Sequence, residues 1–330
     1  MTASKVFPLR IGRTKVPYGQ FYGGLGDFSI AEFAEDKDHF IRVPIHAFLI
    51  EHAERGPVLV DTGIGPEQAG EHARYYRGSI MEYLMDDDEY ELPAGERMEA
   101  QLARHGYRPA DVQDVVITHF HEDHIGALNL FPHAQVHLGR AEYEARNTKA
   151  LGLIPLAYPR SIEAVRHWRP VDFTDPGIGG FDGSADLFGD GSLVLLPTPG
   201  HSPGSTSVLV RMDGYDVLLP GDAMYTIQHL ALDQVRQMQT ADAGLFADSI
   251  RRIQWLHRAL PNLVVLTSHD HTRYGEHLRA AMAGGGLSEA DLAWAKAWER
   301  DTFDPVYNLN PAKLPRFVPA ADGGPVGQVA

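Results

Sequence analysis

The chain has 330 residues, 44% of them apolar and 22% charged, which is ample material for a core and excludes disorder over most of the length. Acidic residues number 44 against 29 basic ones, and the net charge of −15 disfavours nucleic acid or anionic membrane as partners. With no cysteine, disulfides, thiol nucleophiles and thiolate ligands are all absent, so any metal must be held by nitrogen and oxygen.

The N-terminal "MTASKVFPLRIGRTKVP" lacks the uninterrupted apolar stretch of a secretory signal, and no run of about 18 apolar residues occurs, so a cytoplasmic location is expected. Residues 1–40 read as an extension packing on the domain that follows. Residues 41–63, "IRVPIHAFLIEHAERGPVLVDTG", read as two strands joined by the turn "AERGP". The second ends at Asp61, and a strand's C-terminal end is where folds of this kind keep their ligands. A helix over 94–107 places Met98 and Leu102 at helical spacing, with His105 in its last turn as a capping residue rather than a ligand.

Next comes "DVVIT" (114–118), a short buried strand, and "IGALNLF" (125–131), the start of a helix. Between them, "HFHEDH" packs three histidines and two carboxylates into positions 119–124, on the strand-to-helix loop where sites on α/β scaffolds are built. Residues 141–170 read as a helical insertion broken by "GLIPLAYPR". Strands follow at 193–197, 206–211 and 216–220, the last two joined by the turn Met212-Asp213-Gly214. A helix at about 244–260 leads to the strand "LVVLTSHDH". Ser288 then caps a last helix with Asp291 three residues on, and "PAADGGPVGQVA" (319–330) reads as disordered. The β-hairpins among the helices predict layered α/β structure with mixed sheets. One domain over 41–285 is followed by a C-terminal helix and tail over 286–330.

A divalent cation needs donors from several directions, so one loop rarely completes a site. Three further candidates each follow a short apolar strand: His201 in "TPGHSPGS", Asp222 in "LLPGDAMY" and His269 in "LTSHDH". Singly, they also read as a turn histidine, a cap and a satisfied core histidine. Together with the first loop they supply seven donors, enough for two ions sharing a bridge.

H-x-H-x-D-H followed by a His, an Asp and a His on successive strand ends resembles the metallo-β-lactamase superfamily of binuclear hydrolases. The resemblance covers residues 41–275 and implies an αβ/βα sandwich of two mixed β-sheets flanked by helices, with the site at one edge. It implies that His119, His121 and His201 hold one ion, that Asp123, His124 and His269 hold the other, and that Asp222 bridges them. Asp61 would orient a ligand histidine. Two divalent ions are expected, zinc first, with manganese, iron or cobalt accepting the same donors.

Tyr225, three residues after Asp222, is similar to a tyrosine of the N-acyl-homoserine lactone lactonase branch, although a core aromatic reads equally well there. That branch implies opening of a lactone by hydroxide held between the metals, with Asp123 passing a proton to the leaving alkoxide and Tyr225 hydrogen-bonding the ester. The pocket walls would come from the 141–170 insertion and from "YGQFYGGLGDF" (18–28). Phosphotriester, phosphodiester or thiolester hydrolysis on the same ions stays open, as does, from a different class, a non-catalytic binding module. A small-molecule substrate is expected, with no nucleic acid or membrane partner; a homodimer is left open.

Overall fold

Along the strands of the N-terminal half, successive apolar side chains divide between two faces, as the period of two in extended backbone requires. Phe48, Ile50, Val58, Val60 and Val116 enter one buried cluster, shared with the strands of the C-terminal half. Ala47, Leu49, Leu59, Val115 and Ile117 enter another, under the helix Met98–Arg104. The computed structural model describes residues 5–22, 39–84, 89–150, 152–231, 241–304, 306–324 and 326–329.

The first sheet runs Phe317–Val318, Val326–Val329, Phe40–His52, Gly56–Val60, Asp114–Val116, Gln135–Gly139 and His167–Val171, with Lys5–Pro17 pairing along the long strand Phe40–His52. The second runs Asp175–Pro176, Gly183–Asp186, Leu193–Pro197, Thr206–Arg211, Asp216–Leu219 and Leu263–Val265. Its strands are antiparallel except for the last pair, which is parallel. Leu193, Val194, Leu195 and Leu196 are all buried, because this sheet is covered on both faces. The helices Ala243–Ala259 and Arg273–Ala283 add Phe246, Ile250, Ile253, Leu256, Leu278 and Met282 to its cluster. Among the described residues no helix is long and apolar enough to cross a membrane.

Several elements differ from the reading of the sequence. Lys5–Pro17 is a 13-residue strand, its basic residues at the surface and Leu9 and Ile11 fully buried. The tail is not disordered: Val326 and Gly327 pair in parallel with Phe40 and Ile41, since ladder bonds use backbone alone and tolerate a Gly-rich sequence. The 141–170 region is mostly not helical. A helix covers only Arg140–Ala145, followed by a small hairpin of Lys149–Ala150 with Ile154–Pro155 and a helical turn at Pro159–Ile162 with Pro at its start. The edge strand His167–Val171 closes the region.

The motif itself also departs from a simple loop. The helix after the first strand starts inside it, at Glu122, and stops at Ile125. Of the "YGQFYGGLGDF" segment, Tyr18–Tyr22 form a short helix and residues 23–28 lie outside the described residues. The capping box of Ser288 and Asp291 is present, and the His105 ring lies on Phe7, 4.2 Å between centroids, away from the motif.

Candidate active site

At one edge the two sheets are drawn together. The Thr206 N–H donates to the Thr118 carbonyl at 2.9 Å, linking the strand before His119 to the strand after His201. Gly221 sits at φ +53°, and a Cβ there would lie 2.7 Å from the Thr118 side chain, so only glycine lets the loop carrying Asp222 come this close. His119, His121, His201, Asp222 and His269 arrive at this edge from the loops after strands, and Asp123 and His124 from the short helix Glu122–Ile125.

Their donor atoms form two groups, His119, His121, His201 and Asp222 in one and Asp123, His124 and His269 in the other. Asp222 faces both. Its Oδ1 lies 3.2 Å from His124 Nε2 and 3.3 Å from His269 Nε2. Its Oδ2 lies 3.5 Å from His201 Nε2 and 3.8 Å from His119 Nε2. Asp123 Oδ2 is 3.3 Å from His269 Nε2, and His201 Nε2 is 2.8 Å from His121 Nδ1.

The far nitrogens of three rings are held by the scaffold. His124 Nδ1 bonds Asp61 Oδ2 at 2.8 Å, His269 Nδ1 bonds the Pro44 carbonyl at 2.9 Å, and His119 Nδ1 meets Thr118 Oγ1 at 3.1 Å. Asp61 is fixed in turn by the Thr118 N–H and hydroxyl, at 2.8 and 2.9 Å. Acceptors on the outer nitrogens of His124 and His269 leave the Nε2 lone pairs directed inward, the arrangement that imidazole ligands require.

The residues fit a pair of cations. His119 Nε2 and His124 Nε2 are buried and make no hydrogen bond, an arrangement that is costly without a further partner. Burial, then the neighbouring imidazoles, lowers the pKa of His119 far below the usual range and that of His121 to about 3, keeping both in the neutral form that a cation requires. For His269, burial acts downward but Asp222 and Asp123 prevail and raise it to about 10. A field that favours a proton on His269 equally favours a metal cation there.

Residues 41–275 match the profile of the metallo-beta-lactamase superfamily. The chain belongs to that superfamily. An N-acyl homoserine lactonase AttM of Agrobacterium fabrum is 31% identical over 252 residues, 72% of this chain and 86% of that protein. AttM of Azorhizobium caulinodans is 32% identical over 243 residues, covering 69% and 82%. The fold matches an N-acyl homoserine lactone hydrolase solved with N-hexanoyl-L-homoserine at its catalytic metal center, with a TM-score of 0.64 at 24% identity over 82% of this chain and 95% of that one.

Within the superfamily's sandwich, the two donor groups open into a cavity of about 680 Å³. Val16, Gln20 and Phe21 line one side and Ile154, Pro155, Leu156 and Tyr158 another, so both segments expected as walls contribute. Tyr225 is buried with its ring between the groups, 5.7 Å from the His201 ring and 5.8 Å from the His269 ring, and stacked on Phe21 at 4.4 Å.

Met81, Tyr90 and Glu122 also face the cavity and were not anticipated. Glu122 is flanked by the hydroxyls of Tyr76 and Tyr90, each 3.5 Å from its Oε1, and burial, then the charge of Asp123, pushes its pKa up to about 7. Glu142 was missed as well, although it is fully buried directly behind the motif. Its only sign in the sequence is its position in the first turn after a strand.

Proposed function

We propose that the protein is a lactonase in which His119, His121 and His201 hold one divalent ion, Asp123, His124 and His269 hold a second, and Asp222 lies between them. The observation that carries this is the division of Asp222's two oxygens between two sets of imidazole nitrogens, as a bridging carboxylate requires. Zinc suits five imidazoles and two carboxylates. Such ions would supply an acidified water near neutral pH and polarise a carbonyl oxygen.

The chain's own groups supply the rest. Asp61, the Pro44 carbonyl and Thr118 fix the imidazoles so that little reorganisation is needed during the reaction. Opening the ring breaks the bond between the acyl carbon and the ring oxygen, adds the elements of water, and yields a carboxylate, a hydroxyl group and a proton. Asp123 borders the cavity and in this reading would pass a proton to the departing ring oxygen. In this reading Tyr225, whose ring lies between the groups, would donate its hydroxyl hydrogen to the ester. The apolar walls from Val16 and Phe21 to Ile154 and Leu156 suit an acyl chain, and the relatives named N-acyl homoserine lactonases make acyl-homoserine lactones the substrate class to try first.

The net charge of −15 favours such a neutral ester over an anionic phosphodiester. The test is a panel of lactones, phosphotriesters and phosphodiesters assayed on protein of measured metal content. A phosphoester turned over at least about tenfold more efficiently than every lactone would replace this reading with the phosphoesterase one.

A further inference from the structure

Glu142 is outside the seven residues above, yet it bonds the two loops that carry the histidines of the first group. Its carboxylate is wholly buried. The Phe120 N–H, from the residue between His119 and His121, donates to Oε1 at 2.9 Å. The Ser202 hydroxyl and the Gly204 N–H, just after His201, donate to Oε2 at 2.7 and 2.8 Å. The contact is close enough that a Cβ on Gly204 would lie 2.0 Å from the Glu142 nitrogen. Phe120 shares its segment with His124, but the His124 ring sits on the helix Glu122–Ile125 and is held separately by Asp61 at 2.8 Å, and no bond in this set reaches the loop of His269.

We propose that Glu142 is a positioning residue that sets the separation of His121 and His201, and so governs affinity for the ion held by His119, His121 and His201 while leaving the other ion alone. The argument is one of acceptor geometry. Two oxygens receive three donors from two loops, and burial in a low-dielectric surround makes each of those bonds costly to lose. A neutral amide of the same shape has one acceptor oxygen, so its NH₂ group must face either the Phe120 N–H or the donors beside His201. One arm of the clamp is then repelled and the two histidines part. Ser202 is the lesser contributor, because its loss leaves the Gly204 N–H on the same oxygen.

This inference rests on the two-ion reading, and its test separates the two. Zn²⁺ is titrated into metal-free full-length protein in competition with a chromophoric chelator, giving two dissociation constants for the wild type, for Glu142→Gln and for Ser202→Ala. The expected result is that Glu142→Gln weakens one constant by about tenfold or more, as lost support of a metal ligand does, and leaves the other within about twofold. Ser202→Ala should weaken the same constant by less, and stands in if the glutamine variant does not fold. Wild-type protein that binds fewer than two ions would overturn the two-ion reading and the clamp with it. Wild-type protein that binds two, with both constants unchanged in the variants, or both weakened alike together with a lower melting temperature of the metal-free protein, would overturn the clamp alone.

Discussion

Asp61 adopts a left-handed backbone conformation, φ +59°, and from it reaches His124 Nδ1 at 2.8 Å. A non-glycine residue at positive φ is uncommon, and aspartate and asparagine adopt it most readily. Asp61→Asn therefore keeps the backbone but loses the charge that holds the His124 tautomer. Affinity for the ion assigned to Asp123, His124 and His269 should fall by about 10- to 100-fold. Metal titration of the variant checks this, and affinity equal to wild type would reduce Asp61 to a strand-end cap.

Asp222→Ala removes the one carboxylate that faces both groups. Metal content by elemental analysis should fall from two ions per chain to one or fewer, and kcat/KM by about 100-fold or more. Full occupancy with unchanged turnover would mean that the bridge lies elsewhere.

Tyr225→Phe keeps the ring on Phe21 and between His201 and His269 and removes only the hydroxyl. A hydrogen bond made mainly in the transition state should appear as a kcat lower by about tenfold, with metal content and melting temperature retained. Unaltered kinetics, or a lowered melting temperature as the sole effect, would assign the residue to packing.

Removing metal with a chelator should abolish lactone opening, and adding Zn²⁺ back should restore it. Because ring opening releases a proton near neutral pH, a weakly buffered indicator follows both steps. Activity that persists in protein shown to be metal-free would sink the proposed chemistry.

Stability should fall with acidification through His229. Its ring is fully buried, Nε2 donates to the Phe21 carbonyl at 2.8 Å, and Nδ1 accepts the Thr226 N–H at 3.0 Å, so the neutral ring is satisfied. Burial lowers its pKa to about 4. The unfolded chain takes up a proton near pH 6.5 and the folded chain only near 4, so the unfolded state is favoured progressively between those values. The loss amounts to at most about 3 kcal/mol. Denaturant unfolding of metal-free wild type and His229→Gln at pH 7 and pH 4.5 checks it; the wild type should lose more, and parallel losses would count against the assignment.

The strands that bring the candidate donors together could be read from sequence because His119, His201, Asp222 and His269 each come soon after a short apolar run, a pattern that local chemistry alone produces. Strands 193–197 and 206–211 came out at the observed limits for the same reason. What supports the donors could not be read. Pro44 acts through a carbonyl, which every residue has, and Glu142 differs from the exposed Glu144 only in which side of a short helix it occupies. The strand Lys5–Pro17 was obscured by the arginines and lysines that alternate with its apolar residues, and the tail strand by composition that says nothing of backbone pairing.

His269 is oriented by a carbonyl 225 positions earlier in the chain, and the His46 N–H reaches back to the Ser268 carbonyl beside it. These bonds occupy the stretch of strand Phe40–His52 that lies between its pairings with Val326–Gly327 and with Gly56–Val60. Contacts so distant along the chain form late, since the intervening loop must close before they contribute. During synthesis the H-x-H-x-D-H segment emerges well before the strand that completes the second group, so the nascent chain carries an unfinished set of donors until its C-terminal third is made. On the proposed assignment, folding order and metal loading would be linked, because the arrangement of Asp123, His124 and His269 is complete only once the strand Phe40–His52 has met the loop of His269.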